Sequence, residues 1–301
     1  MTWTTCLSKA SAFLDAKGVP DAAVASELLM ARLLKTGRGF LSSELEKEVS
    51  APHVEAMRRA MARLAKGEPI QYVLGEWDFR SLTLSCDRRA LIPRPETEEL
   101  VSRVLKFLNG VARDAAHESS PAAACGGEAP PPFIVDVGTG TGAIILSLAK
   151  EFAGDAVFLG TDVSEDAIAL ARANAARCGL AERVKFAVAD GLDDFDEPQS
   201  VDVIVSNPPY VESAVCDTLD PRVKDYEPRL ALDGGADGLA FYDRYLGDAV
   251  NLLKPNGAVF FEIGDGQGEA LRTLMTDYGF SQIAIEKDFA GHDRYASAIL
   301  P

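Results

Sequence analysis

The stretch Ser206-Asn207-Pro208-Pro209-Tyr210 puts an amide, rigid backbone carbonyls and an aromatic ring within five residues. It follows Val201-Asp202-Val203-Ile204-Val205, a short, mostly β-branched run that reads as a buried strand. Two prolines cannot continue a strand ladder or start deep inside a helix, so the strand must end at Asn207 and the chain must turn outward with fixed φ angles. In open α/β sheets ligands bind at such strand ends. The Asn207 oxygen can accept one N–H, a carbonyl of the Pro-Pro segment can accept another, and the Tyr210 ring can lie on a flat face. These groups make a clamp for a planar group carrying an NH2. An ordinary strand-ending turn uses the same residue types; the clamp is favoured by its context, an apolar strand before it and a glycine loop upstream.

That loop is Gly138-Thr139-Gly140-Thr141-Gly142, between the strand Phe133-Ile134-Val135-Asp136-Val137 and a helix through Ala143 to Ala149. Its glycines let the backbone approach a ligand closely, and the helix start offers free N–H groups. A second strand, Ala156 to Gly160, ends at Thr161-Asp162, about twenty residues on, where a carboxylate can bind ribose hydroxyls. A third, Val184 to Val188, ends at Ala189-Asp190-Gly191, with Asp190 suited to an adenine amino group. Gly138, Gly140 and Ala143 also satisfy the dinucleotide spacing, so NAD remains an alternative. Two features favour S-adenosylmethionine. Asp136 just before the loop suits a cationic amino acid or sulfonium and repels a pyrophosphate, and hydride transfer has no need of Asn-Pro-Pro-Tyr.

Stepping outward, the elements that must position these groups form an alternating pattern. Residues 1–66 read as helical. Leu7, Ala10, Phe13 and Leu14 share one face, Asp21 is placed to cap a helix with a Val24, Leu28, Leu29 and Leu33 stripe, and a third helix runs from about Ala51 to Ala65. From Gly67 two strands, Gln71 to Phe79 and Leu82 to Leu84, suggest a β-hairpin connector over 67–95. Pro93 and Pro95 then fix an extended approach that presents Arg94 outward, and a helix runs from near Glu96 to about Leu108, with Thr97 in its first turn. Residues 110–132, rich in Gly, Ser, Ala and Pro, read as a flexible insertion. Further on are a helix from about Gly238 to Leu253, the strand Ala258 to Gly264, a helix from about Gln267 to Tyr278, and an antiparallel edge pair at Ile283–Ile285 and Ala296–Leu300.

A chain of 301 residues, 47% hydrophobic, accommodates one large domain and one small one. It shows no apolar run of transmembrane length and no secretory leader, so a cytoplasmic location with no membrane partner is expected. Five scattered cysteines without Cys-x-x-Cys spacing fit a reducing compartment, and with three dispersed histidines they give no expectation of a metal site. The net charge of −16 disfavours direct nucleic-acid binding.

The chain resembles the protein-(glutamine-N5) methyltransferases that modify bacterial peptide chain release factors, the PrmC/HemK family. The resemblance runs through Glu68 to Tyr72, Leu91 to Leu100, Asp136 to Ala143, Asn207 to Tyr210, Tyr226 to Leu232, Asp237 to Leu239, Glu262 to Gly264 and Asp288 to Arg294. Asn-Pro-Pro-Tyr alone is shared with DNA adenine and cytosine amino-methyltransferases, which leaves a DNA or RNA amino-methyltransferase as the alternative. The resemblance implies a class I S-adenosylmethionine-dependent methyltransferase, an α/β Rossmann-like domain with a seven-stranded sheet over 96–301. It also implies a small helical N-terminal domain over 1–66 that docks the substrate. The expected partner is a class 1 release factor, methylated on the glutamine of its Gly-Gly-Gln loop. Asp136, Gly138, Thr139, Gly140, Thr141, Gly142, Asp162, Asp190, Gly191 and Asn207 would hold the cofactor. Arg94, Pro95, Thr97, Pro209 and Glu262 would join Asn207, Pro208 and Tyr210 on the substrate side, the last three as the catalytic set.

Overall fold

A computed structural model describes residues 1–117, 130–193 and 195–301. It divides into two compact units. The first is Met1–Trp77 with Cys86–Arg88 and Asp220–Tyr226; the second is Asp78–Ser85, Arg89–Leu219 and Glu227–Pro301.

The first unit is helical: α1 (Trp3–Ala16), α2 (Ala22–Leu34), a 3-10 turn (Arg38–Ser43), α3 (Ala51–Leu64) and α4 (Ile70–Leu74). The α1 stripe is Trp3, Cys6, Ala10 and Leu14, and Phe13 is left exposed. In α2 the small residues Ala22, Ala25 and Ser26 join Leu29 in the core, and Val24 faces water. Asp21 does not cap this helix. Its φ of 48° is outside the extended region from which a side chain reaches the first free N–H groups. Ser50 does cap α3, its hydroxyl accepting from the His53 N–H at 3.4 Å.

The expected strand over Gln71–Phe79 is half helix. Pro69 opens α4, and Gly75, at φ 75°, closes it. Tyr72 and Leu74 are buried in the first unit. The Arg63 guanidinium donates to the Tyr72 and Val73 carbonyls at 3.0 and 3.3 Å, satisfying the helix end. Local packing overrides the strand propensity of these residues. Only β1 (Glu76–Phe79) and β2 (Leu82–Ser85) form the hairpin. The segment 220–226 joins the first unit through Tyr226, whose hydroxyl donates to the Lys66 carbonyl at 2.8 Å, with Arg88 4.6 Å above its ring.

The second unit is built on a seven-stranded sheet. Its strands are β3 (Phe133–Val137), β4 (Val157–Asp162), β5 (Val184–Val188), β6 (Val201–Ser206), β7 (Leu253–Glu262), β8 (Ser281–Lys287) and β9 (Asp293–Ile299), in the order β5-β4-β3-β6-β7-β9-β8. The first five are parallel; β9 runs antiparallel to both β7 and β8, so the expected edge pair contributes only one edge strand. Helices cover both faces, which the strand pattern requires. Val203, Val205 and Phe260 pack with α5 (Pro95–His117) and α6 (Ala143–Glu151). Ile204, Val259 and Phe261 pack on the other side with α10 (Ala240–Leu252) and α11 (Gly268–Asp277). Alternation of side chains along each strand separates the two cores. Helix α5 runs past the expected end near Leu108 and across the first part of the expected insertion; residues 118–129 of that insertion lie outside the described residues.

The remaining helices are α7 (Glu165–Arg177) and the single turns α8 (Ser213–Cys216) and α9 (Pro221–Lys224). Asn174 on α7 is fully buried and holds the glycine loop to β2. Its oxygen accepts from the Ser85 N–H at 2.7 Å, and its amide donates to the Ser85 and Thr141 carbonyls at 3.1 and 2.9 Å. Asn174→Ala leaves three backbone groups without that partner. We expect it to cost roughly 2–4 kcal/mol in denaturant unfolding, since each buried unpaired group costs its desolvation. A loss near zero would show that these groups find other partners.

Candidate active site

The site forms because β3 pairs with β4 on one side and β6 on the other, so three parallel strands end together where the strand order reverses. Val137 aligns with Thr161 on β4 and with Ser206 on β6. The next residues are Gly138, Asp162 and Asn207, so the register alone brings loop, carboxylate and amide to one rim. A cavity there is lined by Gly138, Thr139, Gly140, Thr141, Asp162, Asp190 and Gly191 on one side. Arg94, Thr97, Asn207 and Pro209 also line it.

Asp162 does two jobs. Its carboxylate oxygens accept from the Gly140 N–H and the Ser164 N–H, both at 2.9 Å. One glycine-loop donor is therefore already spent on a carboxylate, which makes the loop a poor pyrophosphate cradle and disfavours the dinucleotide reading. Each oxygen keeps a lone pair for a hydroxyl donor. Gly140, at φ 54°, and Gly142, at φ 82°, take backbone conformations that side-chain-bearing residues rarely adopt, and Gly142 opens α6.

Several expected site residues stand behind the cavity wall. Asp136 is buried beneath the loop, its Oδ2 accepting from the Thr139 hydroxyl at 2.6 Å. It shapes the loop from below and does not line the cavity. Gly142 lies at the helix start, and Pro95 is the first residue of α5. Pro208 is buried, and the half-buried Tyr210 packs on the α10–α11 side of the sheet, away from the cavity lining. Glu262 is 2% exposed. Asp190 lines the cavity, but its carboxylate accepts from Arg244 at 2.7 Å. Arg94 is not presented outward: it lines the cavity and pairs with the buried Glu227 at 2.5 Å.

Three segments converge on Asn207. Its Nδ2 donates to the Thr97 hydroxyl at 3.1 Å, and that hydroxyl donates to Glu262 Oε2 at 2.6 Å. Thr97 is buried in the first turn of α5, Glu262 ends β7, and Asn207 follows β6. Gln267 braces the same corner, donating to the Tyr210 carbonyl at 3.2 Å and accepting from the Gly264 N–H at 2.8 Å.

Residues 5–75 match the family described as the PrmC N-terminal domain, and residues 133–287 match the family described as a methyltransferase domain. A release factor glutamine methyltransferase of Agrobacterium fabrum is 38% identical over 283 residues, spanning 93% of this chain and 91% of that protein. One of Bacillus anthracis is 35% identical over 294 residues, 97% of each chain. This chain belongs to the release factor glutamine methyltransferase family. In fold it is also similar to the crystal structure of the hMettl16 catalytic domain in complex with the MAT2A 3'UTR hairpin 6. The TM-score is 0.53 and the identity 14%, over 83% of this chain and 82% of that one. The architecture is that of a class I methyltransferase.

Within this family member, residues outside the sequence expectation also shape the site. Glu227 is the clearest: it accepts from the Ile92 N–H at 3.0 Å as well as from Arg94, pinning the segment before α5. It lies in the Tyr226–Leu232 stretch that carries part of the resemblance, but no role was expected of it. Tyr245 and Phe241 on α10 add aromatic wall, and in sequence they read as ordinary helix-core residues.

Burial dominates the electrostatics. It pushes the Glu262 carboxyl up to about 7, against the hydrogen bond from Thr97, and the Asp136 carboxyl up to about 7, against that from Thr139. Burial also raises the Asp162 carboxyl, and it pushes the Tyr210 phenol to about 12, which keeps that hydroxyl neutral. A carboxyl raised in the folded state binds its proton more tightly there than in the unfolded chain. Its stabilising contribution is complete below the ordinary carboxyl range and is lost as pH rises toward and through 7. Between pH 5 and 8, wild type should therefore lose about 2–3 kcal/mol more stability than Glu262→Gln. Urea unfolding of both proteins at the two pH values measures the difference. Parallel losses would place the Glu262 proton outside this balance.

Proposed function

We propose that this chain transfers a methyl group from S-adenosyl-L-methionine to the side-chain amide nitrogen of the glutamine in the Gly-Gly-Gln loop of class 1 peptide chain release factors. One observation carries the reading: Asn207 stands at the rim with its NH2 anchored on Thr97. Its oxygen is thereby left for an N–H donor, across a cavity from Asp162 and the glycine loop. The family relatives' name supports the same substrate.

The residues fit the cofactor. Asp162 has lone pairs for the ribose hydroxyls, the Gly138–Gly142 loop allows close backbone approach, and Asp190 and Gly191 line the cavity with the aromatic Tyr245 and Phe241, where adenine would lie. Bound there, the cofactor supplies a methyl group activated by its sulfonium. The chain's own task is alignment. An amide nitrogen is a weak nucleophile because its lone pair is shared with the carbonyl, so orientation and charge stabilisation carry the rate. Asn207 Oδ1 and the Pro208 carbonyl would accept the two amide hydrogens and aim the nitrogen. Both bonds strengthen as positive charge grows there. Tyr210, packed behind the turn, would brace the Asn-Pro-Pro segment, and Arg94, steadied by Glu227, keeps N–H donors for carbonyls of the release-factor loop. An N-protonated amide is very acidic, so its proton can pass to water without a dedicated base. The helical first unit would dock the release factor. The enzyme would work in the cytoplasm, without direct nucleic-acid contact, consistent with its charge of −16.

The test is incubation with labelled S-adenosylmethionine and a purified release factor, followed by mass spectrometry of the Gly-Gly-Gln peptide. We expect one methyl group on the glutamine, and turnover lower by roughly two to three powers of ten in Asn207→Ala, the scale for losing one transition-state hydrogen bond. Near-normal turnover in that variant would reduce the Asn-Pro-Pro-Tyr stretch to a turn.

A further inference from the structure

The hydrogen-bond chain that ends at Asn207 has a direction. A threonine hydroxyl owns one proton. Here that proton goes to Glu262 Oε2, 2.6 Å away, so toward Asn207 the Thr97 oxygen can only accept. The side chain facing it must then present its NH2. With its NH2 engaged on Thr97, Asn207 has its oxygen left to meet a ligand.

We propose that Thr97 and Glu262 are positioning residues that fix the polarity of the Asn207 amide, so that its oxygen and not its NH2 meets the substrate nitrogen. The proposal rests on the reading of Asn207 as the acceptor for the substrate amide. It assigns Thr97 and Glu262 a role through Asn207 in place of direct substrate binding. The opposite polarity is easily described. A protonated Glu262 can donate to the Thr97 oxygen, and the Thr97 proton then turns to Asn207 Oδ1. The amide rotates, and two NH2 groups face each other across the cavity. Both hydroxyl and carboxyl are buried, so water cannot supply the missing acceptor.

The carboxylate form of Glu262 is therefore the working form. Burial sets its titration near neutrality, at about 7. The groups around it act in opposite senses. The bond from Thr97 favours the carboxylate, as does Arg294 on β9, while Glu96 on α5 opposes it. Tyr210, Tyr242 on α10 and Tyr295 on β9 also face it, with phenols that burial keeps neutral across this range.

The experiment measures kcat and KM for methyl transfer to a release factor as a function of pH. It compares wild type, Thr97→Ser, Thr97→Val and Glu262→Gln. S-adenosylhomocysteine affinity and urea unfolding serve as controls on the cofactor site and the fold. Thr97→Val should lower kcat by about ten- to a hundredfold, the scale for a misoriented reacting group, while cofactor affinity holds. Thr97→Ser, which keeps the hydroxyl, should restore most of the rate. Wild-type kcat should fall as pH drops below neutrality, and Glu262→Gln, which cannot titrate, should lose that acid limb. Should Thr97→Val fail to fold, Thr97→Ser and the Glu262→Gln profile still decide. The proposal is overturned if Thr97→Val keeps the wild-type kcat, if Thr97→Ser is as slow as Thr97→Val, or if the acid limb survives in Glu262→Gln. A wild-type protein that transfers no methyl group overturns the functional reading itself, and this proposal with it.

Discussion

A carboxylate taken out of water must be met by hydrogen bonds from whatever surrounds it, or it must hold a proton. Glu262 is such a group, at the end of the inner strand β7, and the corner around Asn207 is arranged about it. The first turn of α5 supplies Thr97, and the segment after β6 supplies Asn207. Tyr242 on α10 donates to the Glu262 backbone carbonyl at 2.8 Å. Elements that share no local sequence are thus held together by one buried acid. Such a group is costly as a source of stability. What it contributes here is orientation, because each donor that answers it is left with a defined free lone pair or proton.

The other half of the site follows the same logic with a second carboxylate. Asp162 ends β4 and accepts from both Gly140 in the glycine loop and Ser164. The loop is shaped by an acid and cannot welcome a pyrophosphate as an open glycine loop does. Asp136 beneath it holds the Thr139 hydroxyl and so fixes the loop from below. A cofactor bearing hydroxyls and positive charge suits this rim better than one bearing phosphates. The distinction between two cofactor classes with nearly the same glycine spacing therefore lies in where the flanking acids point.

Much of this was legible in the sequence, and the legible parts have a common cause. Strand identity, the glycine loop, Asp162 and the Asn207 turn are all fixed by short-range rules: β-branched runs, Gly-rich turns and proline geometry. The sequence misled where several packing solutions were open. Ile70–Leu74 has strand-like residues, yet it is helical because Arg63 satisfies its last carbonyls and the first unit buries Tyr72 and Leu74. Asp21 has the composition of a cap without the backbone conformation of one. Arg94 between two prolines suggested an outward presentation, but Glu227, more than a hundred residues away, holds it at the cavity. The resemblance gave Thr97 and Glu262 as substrate-side residues, but their bond to each other was not legible, because no local pattern records which of two distant polar groups donates to the other.

The central claim is that the Asn207 oxygen receives the substrate amide. A crystal structure with S-adenosylhomocysteine and a Gly-Gly-Gln peptide tests it most directly. The account predicts the glutamine amide nitrogen within hydrogen-bonding distance of Asn207 Oδ1, about 2.7–3.2 Å, with the Asn207–Thr97–Glu262 chain intact behind it and the nitrogen facing the cofactor sulfur. A glutamine bound with its amide nitrogen away from Asn207, or an Asn207 that turns its NH2 toward the substrate, would contradict it.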